Sequence, residues 1–180
     1  MGLFYTGRGD KGKSSIGKKK IPKDHPALVA LGDLDELNSL LGLVRAAAKR
    51  KALRQKIQTV QQNLFTIQAN VAWNLYPKFK APPFSEEKVR MMEKAIETME
   101  TAIRPKRGFV VAGADEIAAW LDYARTVARR AERSTFVFLK QKKISPSLLT
   151  YLNRLSSYLY ALARFEAHKA KIKESNPTYR

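Results

Sequence analysis

Cysteine is absent from the 180-residue chain. Disulfides, thiolate nucleophiles and cysteine-ligated metals are thereby excluded. Histidine is scarce, His25 and His168 being the two copies, and a zinc site built on imidazoles needs more. No apolar run approaches the ~18 residues that cross a bilayer. The opening MGLFYTGRGDKGKSS lacks the apolar core of ~7–15 residues that a secretory signal carries. A cytoplasmic protein without a membrane segment is expected. Acidic residues are also few: Asp and Glu total 16 against 34 Lys and Arg, a formal net charge of +18. Such a surface attracts polyanions, whether nucleic acid, anionic lipid or nucleotide phosphates, and composition does not choose among them.

Proline (8 residues) and glycine (9 residues) are few, and many of them gather at breaks. Pro22 and Pro26 precede the first helical stretch. Pro77, Pro82 and Pro83 share one loop, and Pro105, Gly108 and Gly113 mark another. Pro146 opens the last helix, with Ser145 as its N-cap. Between these breaks the apolar residues step by three and four. Leu34, Leu37, Leu41, Val44 and Ala48 form one stripe. Leu53, Ile57, Val60, Leu64, Ile67 and Val71 form the next, and Val89, Met92, Ile96, Met99 and Ile103 a third. Ile117, Trp120, Ala124, Val127 and Ala131 make a fourth, and Leu148, Leu152, Leu155, Leu159 and Leu162 a fifth. This spacing predicts an all-α, five-helix bundle with antiparallel neighbours. Strand-like alternation is confined to loop pieces such as Phe109-Val110-Val111. The division expected is a basic, glycine-containing segment over 1–24, the bundle over 25–172 and a flexible tail over 173–180. The first segment has too few apolar residues to order itself without a partner.

Four constellations stand outside the core stripes. Gly7 through Ser14 satisfies G-x-x-x-x-G-K-S, the phosphate-cradling pattern of P-loops. The buried strand before it and the helix after it are missing, so the same glycines and cations read either as a polyphosphate loop of another kind or as a solvated basic tail. Arg125, Arg129 and Arg133 share a helix face beside Ala124, Val127, Ala128 and Ala131. Guanidinium groups on a packed surface suit bidentate capture of phosphate or carboxylate. The plainer reading is a charged face with local pairs such as Asp122–Arg125 and Arg129–Glu132. Asp35, Asn38 and Ser39 share another face, with Asp33 and Glu36 as first-turn acids favoured by the helix dipole. Asn153 and Ser156 lie beside Leu152 and Leu155, where an asparagine needs hydrogen-bond partners, from a purine, a ribose or another helix.

Taken in order, these segments resemble the PduO-type ATP:cob(I)alamin adenosyltransferases, the corrinoid adenosyltransferase family. The likeness rests on Tyr5–Gly12, Gly32-Asp33-Leu34-Asp35-Glu36-Leu37-Asn38, Phe109–Gly113, the RTVARRAER string of Arg125–Arg133, and Tyr151–Ser156. It spans nearly the whole chain. It implies a five-helix bundle assembled as a homotrimer, with active sites between subunits. The implied reaction attaches the 5′-deoxyadenosyl group of ATP to the cobalt of cob(I)alamin and releases triphosphate. Magnesium is then expected through the ATP phosphates, without a dedicated set of protein ligands. The resemblance places Thr6, Gly9, Lys11 and Gly12 over the triphosphate, Arg129 and Glu132 at the nucleotide, and Asn153 at the adenosine end. It matches Asp35 and Arg125 to an intersubunit salt bridge, and Phe109 to an aromatic that sits beneath the corrin and keeps away its lower ligand. A reductase and an adenosylcobalamin-dependent enzyme are the implied further partners. The chain departs from the family pattern at Gly7, Arg8, Ala112, Ala114, Asp122 and Ser157. Two other readings stand beside this one: a basic helical nucleic-acid-binding protein, less favoured because no helix-turn-helix is recognisable, and a nucleotide-binding trimer without transfer activity.

Overall fold

The computed structural model describes residues 4, 7, 9–78, 81–105, 107–140, 142 and 144–179. Five helices carry the fold: α1 (Pro26–Ala47), α2 (Lys51–Leu75), α3 (Glu87–Ile103), α4 (Glu116–Leu139) and α5 (Pro146–Lys169). Leu34, Leu37, Leu41 and Val44 of α1, the whole α2 stripe, and Leu148, Leu152, Leu155, Leu159 and Leu162 of α5 are buried in one core. Each such side chain contributes about 1.5–3 kcal/mol by leaving water. The α3 stripe is less complete: Val89, Met92 and Met99 are buried, while Ile96 and Ile103 stay half-open and line a cavity described below.

The helix ends follow from local chemistry. His25 caps α1, its Nδ1 accepting from the Ala27 amide at 3.1 Å, with Pro26 in the first turn. Asp115 caps α4, accepting from the Ala118 amide at 2.6 Å. Ser145 holds the N-cap position of α5, but its hydroxyl makes no capping bond; it donates to the Phe84 carbonyl at 3.3 Å and ties α5 to the start of α3. Asp33 and Glu36 are not first-turn acids, because α1 begins at Pro26. They face α4 instead and pair with Arg130.

The expectation of a purely helical chain needs one correction. Residues 13–22 form an antiparallel hairpin, β1 (Lys13–Ile16) and β2 (Lys19–Pro22), with Lys13 opposite Pro22 and Ile16 opposite Lys19. Ile21 is buried in the bundle core and Ile16 packs against it. Gly17 turns the hairpin at φ +60°, with the Tyr76 ring so close that a Cβ at this position would lie 2.7 Å from it. The helix that a P-loop requires after Lys13-Ser14 is therefore absent: both residues belong to a strand. Phe109–Val111, the strand-like piece, is loop.

The helix connections fix which termini share an end. Ala48, Lys49 and Arg50 separate α1 from α2, so those helices run antiparallel. His25 lies edge-on to Phe138, which puts the start of α1 beside the end of α4. Arg50 pairs with Glu166, which puts the start of α2 beside the end of α5. The hairpin thus sits at one end of the bundle, and the loop from α3 to α4 sits at the other. No helix among the described residues is long and apolar enough to cross a membrane.

Candidate active site

From mid-bundle toward the end away from the hairpin, α3, α4 and α5 border a half-open cavity of about 670 Å³. Its apolar wall comes from Ile96, Ile103, Val110 and Ala161, and its polar wall from Arg125, Arg129, Arg164, Ser156 and Ser157. Helical spacing explains the arginines. Arg125 and Arg129 are one turn apart on α4 and point the same way, whereas Arg133, on the same row, is exposed beyond the cavity. The Nε of Arg125 is buried and has no hydrogen-bond partner among the described residues. A buried donor left unpaired costs free energy, so an acceptor entering the cavity is favoured there.

One turn beyond Arg129, the Nδ2 of Asn153 donates to Glu132 at 2.8 Å, and the Nη1 of Arg154 donates to the Asn153 Oδ1 at 2.8 Å. Arg154 also holds Glu93 of α3 at 2.8 Å. This chain of polar contacts crosses three helices and fixes which way the Asn153 amide faces. The local pairs expected of a plain charged face do not form. Asp122 bonds Arg164, not Arg125, at 2.6 Å, with both side chains 5 % exposed. Glu132 bonds Asn153, and no Arg129–Glu132 pair is found among the described residues.

Arg164 was not legible as a site residue. It lies inside the run Leu162-Ala163-Arg164-Phe165, where an arginine between core positions is the one signal the sequence offers. Its guanidinium packs 4.8 Å from the Tyr160 ring centre and meets Glu174 at 2.6 Å as well as Asp122. Burial draws its pKa down, and the two carboxylates with Tyr160 more than reverse this, so it stays charged. Burial pushes the Glu174 carboxyl above its usual range, Asp122 and Asp115 push the same way, and Arg164 pulls against them. Tyr160, Glu174 and Asn176 also line the cavity unannounced by the sequence.

The remaining expected residues divide. Phe109 precedes the lining residue Val110 in the chain, is not itself part of the cavity wall, and has 76 % of its surface exposed. An aromatic that packs as a loop anchor would be covered; this one is not. Asp35 is exposed on α1 and makes no ion pair among the described residues. Gly9, Lys11 and Gly12 lie by the hairpin: the Lys23 amide donates to the Gly12 carbonyl at 3.0 Å, and Gly12 takes φ +71°. One chain therefore does not bring them to Arg125 and Arg129. Thr6 lies outside the described residues. Among those residues no group of three His, Asp or Glu forms a metal site.

Comparison with known proteins gives the family of the chain. Residues 4–166 match the family model described as cobalamin adenosyltransferase. The corrinoid adenosyltransferase PduO of Citrobacter freundii is 39% identical over 169 residues, covering 93% of this chain and 50% of that protein. The chain thus spans about half the length of that relative. The corrinoid adenosyltransferase of Bacillus subtilis is 33% identical over 165 residues, 89% of this chain and 84% of that one. A solved PduO-type ATP:corrinoid adenosyltransferase from Lactobacillus reuteri, a phenylalanine-to-histidine variant complexed with cobalamin and ATP, superposes with a TM-score of 0.90 at 27% identity over 97% of this chain and 96% of that one. A sequence match across nearly all five helices and a matching backbone agree: this chain belongs to the cobalamin adenosyltransferase family.

Proposed function

We propose that this chain transfers the 5′-deoxyadenosyl group of ATP to the cobalt of a reduced corrinoid. The observation that carries this reading is the cavity lined by Arg125 and Arg129, with the exposed Phe109 one residue before the lining residue Val110. Membership of the family supports it. Both ATP and the corrinoid are substrates. The cobalt supplies an electron pair to C5′, the cobalt–carbon bond forms, and the C5′–O bond breaks. Its electron pair leaves with triphosphate. No proton has to move, which suits a cavity without cysteine or histidine on its wall.

The protein's tasks are then alignment and charge stabilisation. Arg129 faces the leaving triphosphate, and Gly9, Lys11 and Gly12 supply the phosphate loop. Glu132 and Asn153, already locked together, orient the nucleoside. Phe109 offers bulk beside the corrin with no atom able to ligate cobalt. Magnesium, held by the phosphate oxygens and water, would spread the negative charge of the leaving triphosphate.

The glycine loop and the cavity lie at opposite ends of one chain, so we place the complete site between copies, in a homotrimer. Exposed Asp35 and the unpartnered Arg125 Nε are suited to meet across that interface. The test is ATP-dependent alkylation of chemically reduced cobalamin, followed by the cobalt–carbon absorption spectrum, with a DNA titration at physiological salt alongside. Transfer with weak, non-specific DNA binding is the expected result. Tight DNA binding without transfer would overturn the reading. ATP binding in a trimer without transfer would reduce it to a nucleotide-binding protein.

A further inference from the structure

We propose that residues 174–176 act as a latch that positions the Phe109 loop, with Arg164 as its buried anchor. After α5 the chain turns back: Lys171 takes a left-handed φ of 57°, and the Ile172 amide donates to the Ala167 carbonyl at 3.0 Å. For this stretch, expected from sequence to be flexible, the returning chain makes specific contacts. Glu174 meets the Arg164 Nε at 2.6 Å. Arg164 is itself fixed from the other side by Asp122 at 2.6 Å. The next two residues grip the loop. The Val111 amide donates to the Ser175 carbonyl at 2.8 Å, and the Asn176 Nδ2 donates to the Phe109 carbonyl at 2.7 Å.

These two bonds bracket Val110 and hold Phe109 by its own carbonyl. Its own side chain gives the loop little hold, being 76 % exposed, and Val111 is 48 % exposed. Gly108, at φ +142°, precedes it as a flexible joint. The geometry therefore transfers the fixed position of a buried ion pair to an exposed aromatic. Asp122, Arg164, Glu174 and Asn176 are positioning residues here; Phe109 is the group that acts. The catalytic consequence rests on the proposed function, but the mechanical one does not.

Hydrogen exchange and transfer kinetics test the two parts separately. Asn176→Ala and Glu174→Gln avoid stranding Asp122, as an Arg164 variant would. Asn176→Ala should speed exchange across residues 107–114 about fivefold, the value of one ordinary hydrogen bond, and Glu174→Gln should speed it by a smaller factor, since it removes an ion pair and no hydrogen bond, with the middles of α4 and α5 unchanged. In transfer from cob(II)alamin under reducing conditions, each should lower the rate several-fold. In a Phe109→Ala background, Asn176→Ala should add nothing, because it acts through that ring. Unchanged exchange at 107–114 would overturn the latch. Full additivity with Phe109→Ala would overturn its action through Phe109. Loosened exchange in a protein devoid of transfer activity would support the latch while overturning the proposed function.

Discussion

The two ends of the bundle are built on opposite terms. At the hairpin end the charged groups stand in water: Lys11, Lys13, Lys18, Lys19, Lys20 and Lys23 are all exposed, and Ile21 and Gly17 hold the segment down. At the cavity end charges are enclosed and matched, Arg164 lying between Asp122 and Glu174 with 5 % of its side chain exposed. The first arrangement leaves cations free to meet an incoming polyanion at little desolvation cost. The second holds a shape, since a buried pair that loses one partner is strongly destabilised. Arg129 lies ten residues, roughly 15 Å at 1.5 Å per residue, from the end of α4 beside the hairpin. If one reaction uses both the phosphate loop and the cavity, the proposed assembly of copies is what would bring them together.

The largest expected effect breaks that division directly. Arg129→Ala should lower adenosyl transfer by at least ~100-fold, the scale of a lost donor to developing charge. Helicity should be unchanged, since Arg129 is exposed. Lys11→Ala, at the other end, should also impair transfer, mainly through ATP. When the two defective chains are unfolded and refolded together, mixed assemblies should recover activity well above either parent. Circular dichroism and steady-state transfer measure both points. A mixture no better than its parents would mean that each chain uses its own loop, against the topology.

Next in size is Phe109. Phe109→Ala should cut transfer from cob(II)alamin about tenfold or more, a barrier change of about 1.4 kcal/mol per tenfold. It should spare the affinity for ATP and the melting temperature, because the ring contributes little to the core. Supplying cob(I)alamin ready-made should reduce the loss. Equal losses on both routes would assign Phe109 to corrin binding in general.

A smaller effect concerns the join between copies. Asp35→Asn and Arg125→Ala should each lower transfer several-fold, and the double variant should lose less than the product of the two, as coupled groups do. Independent losses would remove the proposed salt bridge, leaving the Arg125 Nε for the substrate.

The uneven visibility of these features in the sequence has a physical cause. The helices were plain because Leu53 to Val71 and Leu148 to Leu162 repeat with the helical period. The hairpin was hidden because Ile16 and Ile21 are its two apolar residues, separated by Gly17 and three lysines. Arg125 and Arg129 were legible because one helix carries both. The cavity was not, because its wall joins α3, α4, α5 and the returning tail, and no local spacing records that meeting. Asp122 appeared as a departure from the family pattern; its buried bond to Arg164 explains the acid there.

The smallest effect expected sharpens the comparison at the hairpin end. Gly17→Ala places a side chain where φ is +60° and where a Cβ lies 2.7 Å from the Tyr76 ring. The left-handed backbone alone costs an L-residue about 1–2 kcal/mol, and the ring must move as well. The bundle core does not share this contact, so its melting temperature should change little. Exchange over residues 13–22 should quicken, and the KM for ATP should rise a few-fold with kcat nearly unchanged. Tyr76→Ala in the same chain separates the two causes. If the double variant regains the tight KM, the clash with the ring was the fault. If KM stays high, the backbone conformation of Gly17 is what holds the basic loop in place. A KM indifferent to Gly17→Ala, despite faster exchange, would show that the hairpin's order has no part in ATP binding.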